Sequence, residues 1–120
     1  MKFYESEFYQ QEVEDLMLLQ QRLEEYHKII DIMGMSPDIK IEYLHTLYAA
    51  VEKEQALYTR LQLNNTDEAK EMMAKLHEEA IESGMAPHYT LPAYHYELKN
   101  NIKDELRQLG EDIDEEVVID

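Results

Sequence analysis

Apolar residues recur along this chain in four blocks at helical spacing, bounded by short stretches that hold all of its glycines. In the first block Leu16, Leu19, Leu23, Tyr26, Ile30 and Met33 follow spacings of 3, 4, 3, 4 and 3. Such a heptad stripe predicts a helix over about residues 6–33 whose apolar face seeks a partner helix. The second block predicts a helix over about 37–63. Its apolar face is Leu44, Leu47, Tyr48, Val51, Tyr58 and Leu61, interrupted by Gln55. A connection this short forces two helices to fold back antiparallel. At 1.5 Å per residue each spans about 40 Å. A third helix, about 66–83, has a narrow face of Ala69, Met72, Met73, Leu76 and Ala80. A fourth, about 91–109, carries Leu91, Tyr94, Leu98, Ile102, Leu106 and Leu109. Only Val117-Val118-Ile119 reads as strand. The fold class is all-α: a long antiparallel hairpin with two shorter helices.

The punctuation agrees with this division. Gly34, Gly84 and Gly110 all fall where helices should end, the position that favours a left-handed residue. Ser36-Pro37 reads as an N-cap followed by proline in the first turn. Asn65-Thr66-Asp67-Glu68 places acids against the positive end of a helix dipole, and Thr90-Leu91-Pro92 is a further start. The 120 residues suit one domain, a helical unit over 1–110. Residues 111–120 carry six acids and no base, and this acidic tail is expected to be disordered.

Charge changes the picture of partners more than that of the fold. The chain holds 27 acids against 11 Lys and Arg, a formal net charge of −16. That charge opposes direct nucleic-acid binding and anionic membrane surfaces, and it steers basic protein partners. No apolar run nears the roughly 18 residues of a membrane span, and the start, Met1-Lys2-Phe3-Tyr4-Glu5, lacks the pattern of a secretion signal. A cytoplasmic location is expected. With no cysteine, thiolate metal sites and cysteine nucleophiles are excluded.

Two carboxylate motifs carry candidate metal chemistry. Glu24…His27 and Glu42…His45 are E-x-x-H pairs, the spacing that di-iron helical bundles use on two of their helices. With 19 Glu and five His, chance alone gives roughly 0.8 such matches. Helical geometry also turns Glu24 about 130° from its stripe, and Glu42 almost directly away from its own. Glu78, Glu79 and Glu82, followed by Glu111 and Asp114, resemble the magnesium site of all-α nucleoside-triphosphate pyrophosphohydrolases. The bland reading is an exposed acidic flank balanced by Lys70 and Lys75. A glycine-rich phosphate loop is excluded, and the sparse serines Ser6, Ser36 and Ser83 make a Ser-His-Asp nucleophile improbable.

Nine tyrosines stand beside two phenylalanines and no tryptophan. Phe3, Tyr4, Phe8 and Tyr9 cluster at the start; Tyr89, Tyr94 and Tyr96 cluster with His88 and His95 around the last loop. Tyrosine joins contact area to a polar tip and is favoured at protein interfaces, so these seven aromatics are candidate interaction residues. They could equally seal the ends of the hairpin. The apolar sides of the hairpin exceed what two short helices cover, so a homodimer is expected.

Several blocks, in order, resemble a known family: Phe3-Tyr4-Glu5-Ser6-Glu7, Met35-Ser36 with Lys40-Ile41-Glu42, Glu52-Lys53, Tyr58-Thr59-Arg60-Leu61-Gln62-Leu63 and Asp67-Glu68-Ala69-Lys70-Glu71-Met72. They are similar to domain-of-unknown-function family 1825, small helical proteins of cyanobacteria and their phages. The resemblance covers roughly residues 3–87. It implies a helical fold and such a source, and it assigns no activity, cofactor or site residue. Two functions remain open. One is a non-enzymatic adaptor or regulator, without cofactor, that binds a protein with a basic surface, such as phage or host machinery. The other is a metal-dependent helical enzyme of di-iron or pyrophosphohydrolase type.

Overall fold

The computed structural model describes residues 6–64 and 66–111. Four helices follow in order: α1 (Glu7–Met33), α2 (Pro37–Leu63), α3 (Asp67–Glu82) and α4 (Leu91–Gln108). Among the described residues there is no strand. The tail and its Val117-Val118-Ile119, and the proposed boundary beyond Gly110, fall at or outside the end of the described residues.

Each helix starts for the same chemical reason. The side-chain oxygens of Ser6, Ser36, Thr66 and Thr90 accept from the backbone N–H of Tyr9, Ile39, Ala69 and Ala93, at 3.1, 3.3, 3.1 and 3.3 Å. Each thereby satisfies an amide that has no partner within its helix. Two ends are built alike. Gly84, at φ +117°, lets its own N–H reach the Ile81 carbonyl and the N–H of Met85 reach that of Ala80. Gly110 repeats this with Arg107 and, through Glu111, with Leu106. This paired bonding closes a helix when a left-handed residue follows it, and an apolar residue beyond the glycine normally packs back. Met85 does so and is buried.

α2 packs against all three other helices. α1 runs antiparallel to it: Arg60 meets Glu12 near the open end, Lys53 meets Asp15, and Tyr26 meets Tyr43 toward the connection. α4 is antiparallel as well, with His95 beside Glu54 and Lys99 beside Glu52. The closed core lies here. Leu44, Tyr48 and Val51 of α2 pack with Ile102 and Leu106 of α4, flanked by Ile41, Leu47, Leu98 and Leu109. Leu61 and Leu106 are completely enclosed. Burying each such side chain is worth about 1.5–3 kcal/mol.

The α1 stripe behaves differently. Leu16, Leu19, Leu23, Tyr26 and Ile30 are only half-buried, and Met33 is 78% exposed. Met33, the last residue of α1, lies beside the connection to α2. The buried residue of α1 is Tyr9, seven residues before Leu16 and so in the same register, whose hydroxyl lies 3.6 Å from the Met72 sulfur of α3.

Candidate functional site

The half-buried stripe of α1 forms one wall of a groove of about 540 Å³. Val13, Leu16, Met17 and Leu23 stand on this wall. Leu47, Ala50 and Val51 of α2 make the floor. Leu76 and Ala80 of α3 with Leu91, Tyr94 and Leu98 of α4 make the far wall. The groove exists because the α3 face is narrow. Ala69 is fully enclosed, which brings the start of α3 close to the body, while Met73, Leu76 and Ala80 further along stay half-buried. Among the described residues no other helix fills the space between α1 and α3.

The polar lining is sparse: Gln20, Glu54, Glu79, Ser83 and His95, with no Lys or Arg among them. His95 is 3% exposed. Its Nε2 lies 3.4 Å from Oε2 of Glu54, and its Nδ1 is buried with no partner. If Nε2–H donates to Glu54, Nδ1 is a lone-pair acceptor. Leaving such a group unmet costs about 1–3 kcal/mol. The Glu54 side chain is 39% exposed. Its neighbours in sequence are otherwise engaged: Gln55 accepts from Lys99 at 3.2 Å, and Glu52 pairs with the same ammonium at 3.7 Å. Lys99 also lies 5.1 Å from the centre of the Tyr48 ring.

The aromatics expected at an interface separate into two groups. Phe3 and Tyr4 lie outside the described residues. Tyr9 is buried, and burial raises its phenol pKa. Phe8 is 57% exposed and lies beneath the Arg60 guanidinium, 3.8 Å from the ring centre. Arg60 is also held by Glu12, as an ion pair at 2.9 Å rather than an aligned hydrogen bond. Tyr94 stands on the groove wall, and Tyr96 is exposed on the opposite side of α4. Tyr89 is half-buried beside a smaller recess of about 320 Å³. Its hydroxyl bonds to the Glu97 carboxylate, and that bond, then the charge of Glu97, raises its pKa.

The carboxylate motifs lie on the surface. Glu24, His27, Glu42 and His45 are exposed. His27 Nε2 lies 3.3 Å from the Tyr43 hydroxyl, and Glu42 accepts from the Tyr26 hydroxyl at 3.4 Å. These contacts stitch α1 to α2. Burial first, then the Glu105 carboxylate, raises the pKa of Tyr43. Glu78, Glu79 and Glu82 are exposed on α3, with Glu79 on the rim of the groove. Among the described residues no three His, Asp or Glu come together in a way that could hold a metal ion. Asp112 and Asp114 lie outside the described residues.

Sequence reasoning missed the groove and the Glu54–His95 pair. One signal for the pair was present: His95 lies four residues after Leu91 and three before Leu98, a polar residue in phase with an apolar face. No helix of the described residues is long and apolar enough to cross a membrane. Comparison with protein-family models, with characterised proteins and with solved structures finds no match to this chain.

Proposed function

We propose that this chain is a non-enzymatic protein-binding module, an adaptor or regulator, that receives a helix of its partner in the groove between α1, α3 and α4. One observation carries the reading. The groove is open, it is lined mainly by apolar side chains from all four helices, and the carboxylates lining it among the described residues, Glu54 and Glu79, meet no Lys or Arg there. Apolar surface left open in this way marks interaction sites, and a helix laid in an apolar groove is a recurrent mode of recognition. The ordered sequence blocks support, as part of the same proposal, a place in family 1825. Among the described residues no contact favours either carboxylate motif.

The test uses a synthetic 18-residue peptide with Leu on one helical face and Lys on the other, and a scrambled peptide of equal composition. Fluorescence anisotropy should show binding of the amphipathic peptide alone. Met17 and Leu76 line the groove without being enclosed, so Met17→Gln with Leu76→Gln should leave the fold intact. Each should weaken binding by about tenfold, as expected for a lost apolar contact worth 1.5 kcal/mol or so. Equal binding of the scrambled peptide, or no effect of the double variant, would place recognition elsewhere.

A further inference from the structure

The groove admits a more specific statement, which rests on the reading just given. We propose that its occupant is a single amphipathic helix of a basic partner protein, anchored by one Lys or Arg that pairs with Glu54 beside His95.

Three observations lead there. The first is charge. Among the described residues Glu54 and Glu79 line the groove, no Lys or Arg does, and the carboxylate of Glu79 has no side-chain partner. The second is an incomplete polar site. Among the described residues Glu54 holds one polar side-chain contact, to His95, whereas a carboxylate offers about four acceptor positions across its two oxygens. His95 is nine-tenths buried, lines the same groove, and has a ring nitrogen with no partner in the fold. A partner ammonium or guanidinium supplies N–H donors and no acceptor, which is what the open positions of Glu54 lack. The third is the shape. The groove runs along α2 between two helical walls, so an occupant meets apolar side chains on both sides and the acid–histidine pair between them.

A second copy of this chain is the rival occupant. It brings a net charge of −16 to an acidic groove, so electrostatics favours a basic partner instead. Complementary charge at the rim and floor also selects against acidic helices of equal hydrophobicity.

The experiment compares three 18-residue helical peptides that share one apolar face and differ at one central position, Lys, Gln or Glu. Binding is measured by anisotropy to the full chain and to Glu54→Gln, which alters a part-exposed side chain and should fold normally. The unaltered protein should prefer the Lys peptide over the Gln peptide by about tenfold, the lower range for a hydrogen bond to a charged group, with the Glu peptide weaker still. In Glu54→Gln that preference should vanish, while the Gln peptide binds within about twofold as before. His95→Gln, with its fold checked by circular dichroism, should reduce the preference without abolishing it. Equal binding of Lys and Gln peptides to the unaltered protein overturns this proposal and leaves the docking reading standing. So does a preference that survives Glu54→Gln. Binding of no peptide overturns both. A doubled mass in sedimentation that Met17→Gln with Leu76→Gln abolishes would give the groove to a second copy, and would overturn this proposal alone.

Discussion

The two faces of α2 meet their neighbours on unequal terms. Toward α4, Leu44, Tyr48 and Val51 lock with Ile102 and Leu106, and every one of these five is 4% exposed or less. Toward α1, a stripe of equal regularity leaves Leu16, Leu19, Leu23, Tyr26 and Ile30 half-buried. Helical periodicity therefore states which face of a helix is apolar, not whether anything covers it. The closed side holds the fold together. The open side leaves apolar surface exposed, at the cost of stabilisation that a covering helix would add, and it is the surface proposed above for binding.

The contrast can be broken most directly by cutting equal side chains on the two sides. Leu106→Ala removes a fully enclosed leucine and should cost about 3 kcal/mol, within the range for leucine truncation in cores. Leu23→Ala, on the open wall, should cost about 1 kcal/mol, because part of that side chain already faces solvent. Urea unfolding of both variants measures the difference. Equal losses would show that the two sides are packed alike.

A smaller effect sharpens the same point through a helix start. Thr90→Ala removes the oxygen that receives the Ala93 amide and should cost about 1 kcal/mol. Because α4 supplies Ile102 and Leu106 to the closed core, the loss should appear as global destabilisation of the urea transition. An unchanged midpoint would detach the start of α4 from that core.

Alkaline titration probes the seam where the two sides meet. Tyr9, Tyr43 and Tyr89 all have raised phenol pKa values in the folded chain. A group whose pKa is higher folded than unfolded contributes stability below its unfolded value, near 10, and loses it as pH rises past that value. Stability should thus fall from pH 9.5 to 11 in urea titrations, and Tyr43→Phe should lessen the fall. A fall of the same size in Tyr43→Phe would remove Tyr43 from the alkaline loss.

The smallest effect is expected at the tip of the hairpin. Ile32 is 84% exposed, so Ile32→Ser should change stability by less than about 0.5 kcal/mol. A larger loss in the same urea assay would mean that the tip is covered in solution.

Much of this architecture was legible from local chemistry. Ser36-Pro37 and Thr90-Leu91-Pro92 marked starts that the structure places at α2 and α4, and Gly34, Gly84 and Gly110 marked ends. These signals act within a few residues, through caps and backbone conformation. The groove was not legible, because it depends on how far α3 stands from α1. That distance follows from contacts distant in sequence: Tyr9 against Met72, His77 Nε2 3.0 Å from the Tyr89 carbonyl oxygen, and Met85 folded inward. Met33 looked like the last rung of the α1 stripe, but spacing carries no information about whether a neighbouring element covers it. His95 looked like part of an aromatic cluster, and only its neighbour Glu54 on α2 turns it into one half of a polar pair.

The central claim is that the open face of α1, with α3 and α4, is a binding surface. It is tested most directly by backbone amide NMR of the full chain, titrated with the Leu/Lys amphipathic peptide. The account predicts shift changes concentrated at Leu16, Met17, Leu76, Ala80 and Tyr94, on the two walls of the groove. Changes centred instead on Ile32, Met33 and Met35 at the hairpin tip, or none at saturating peptide, would contradict it.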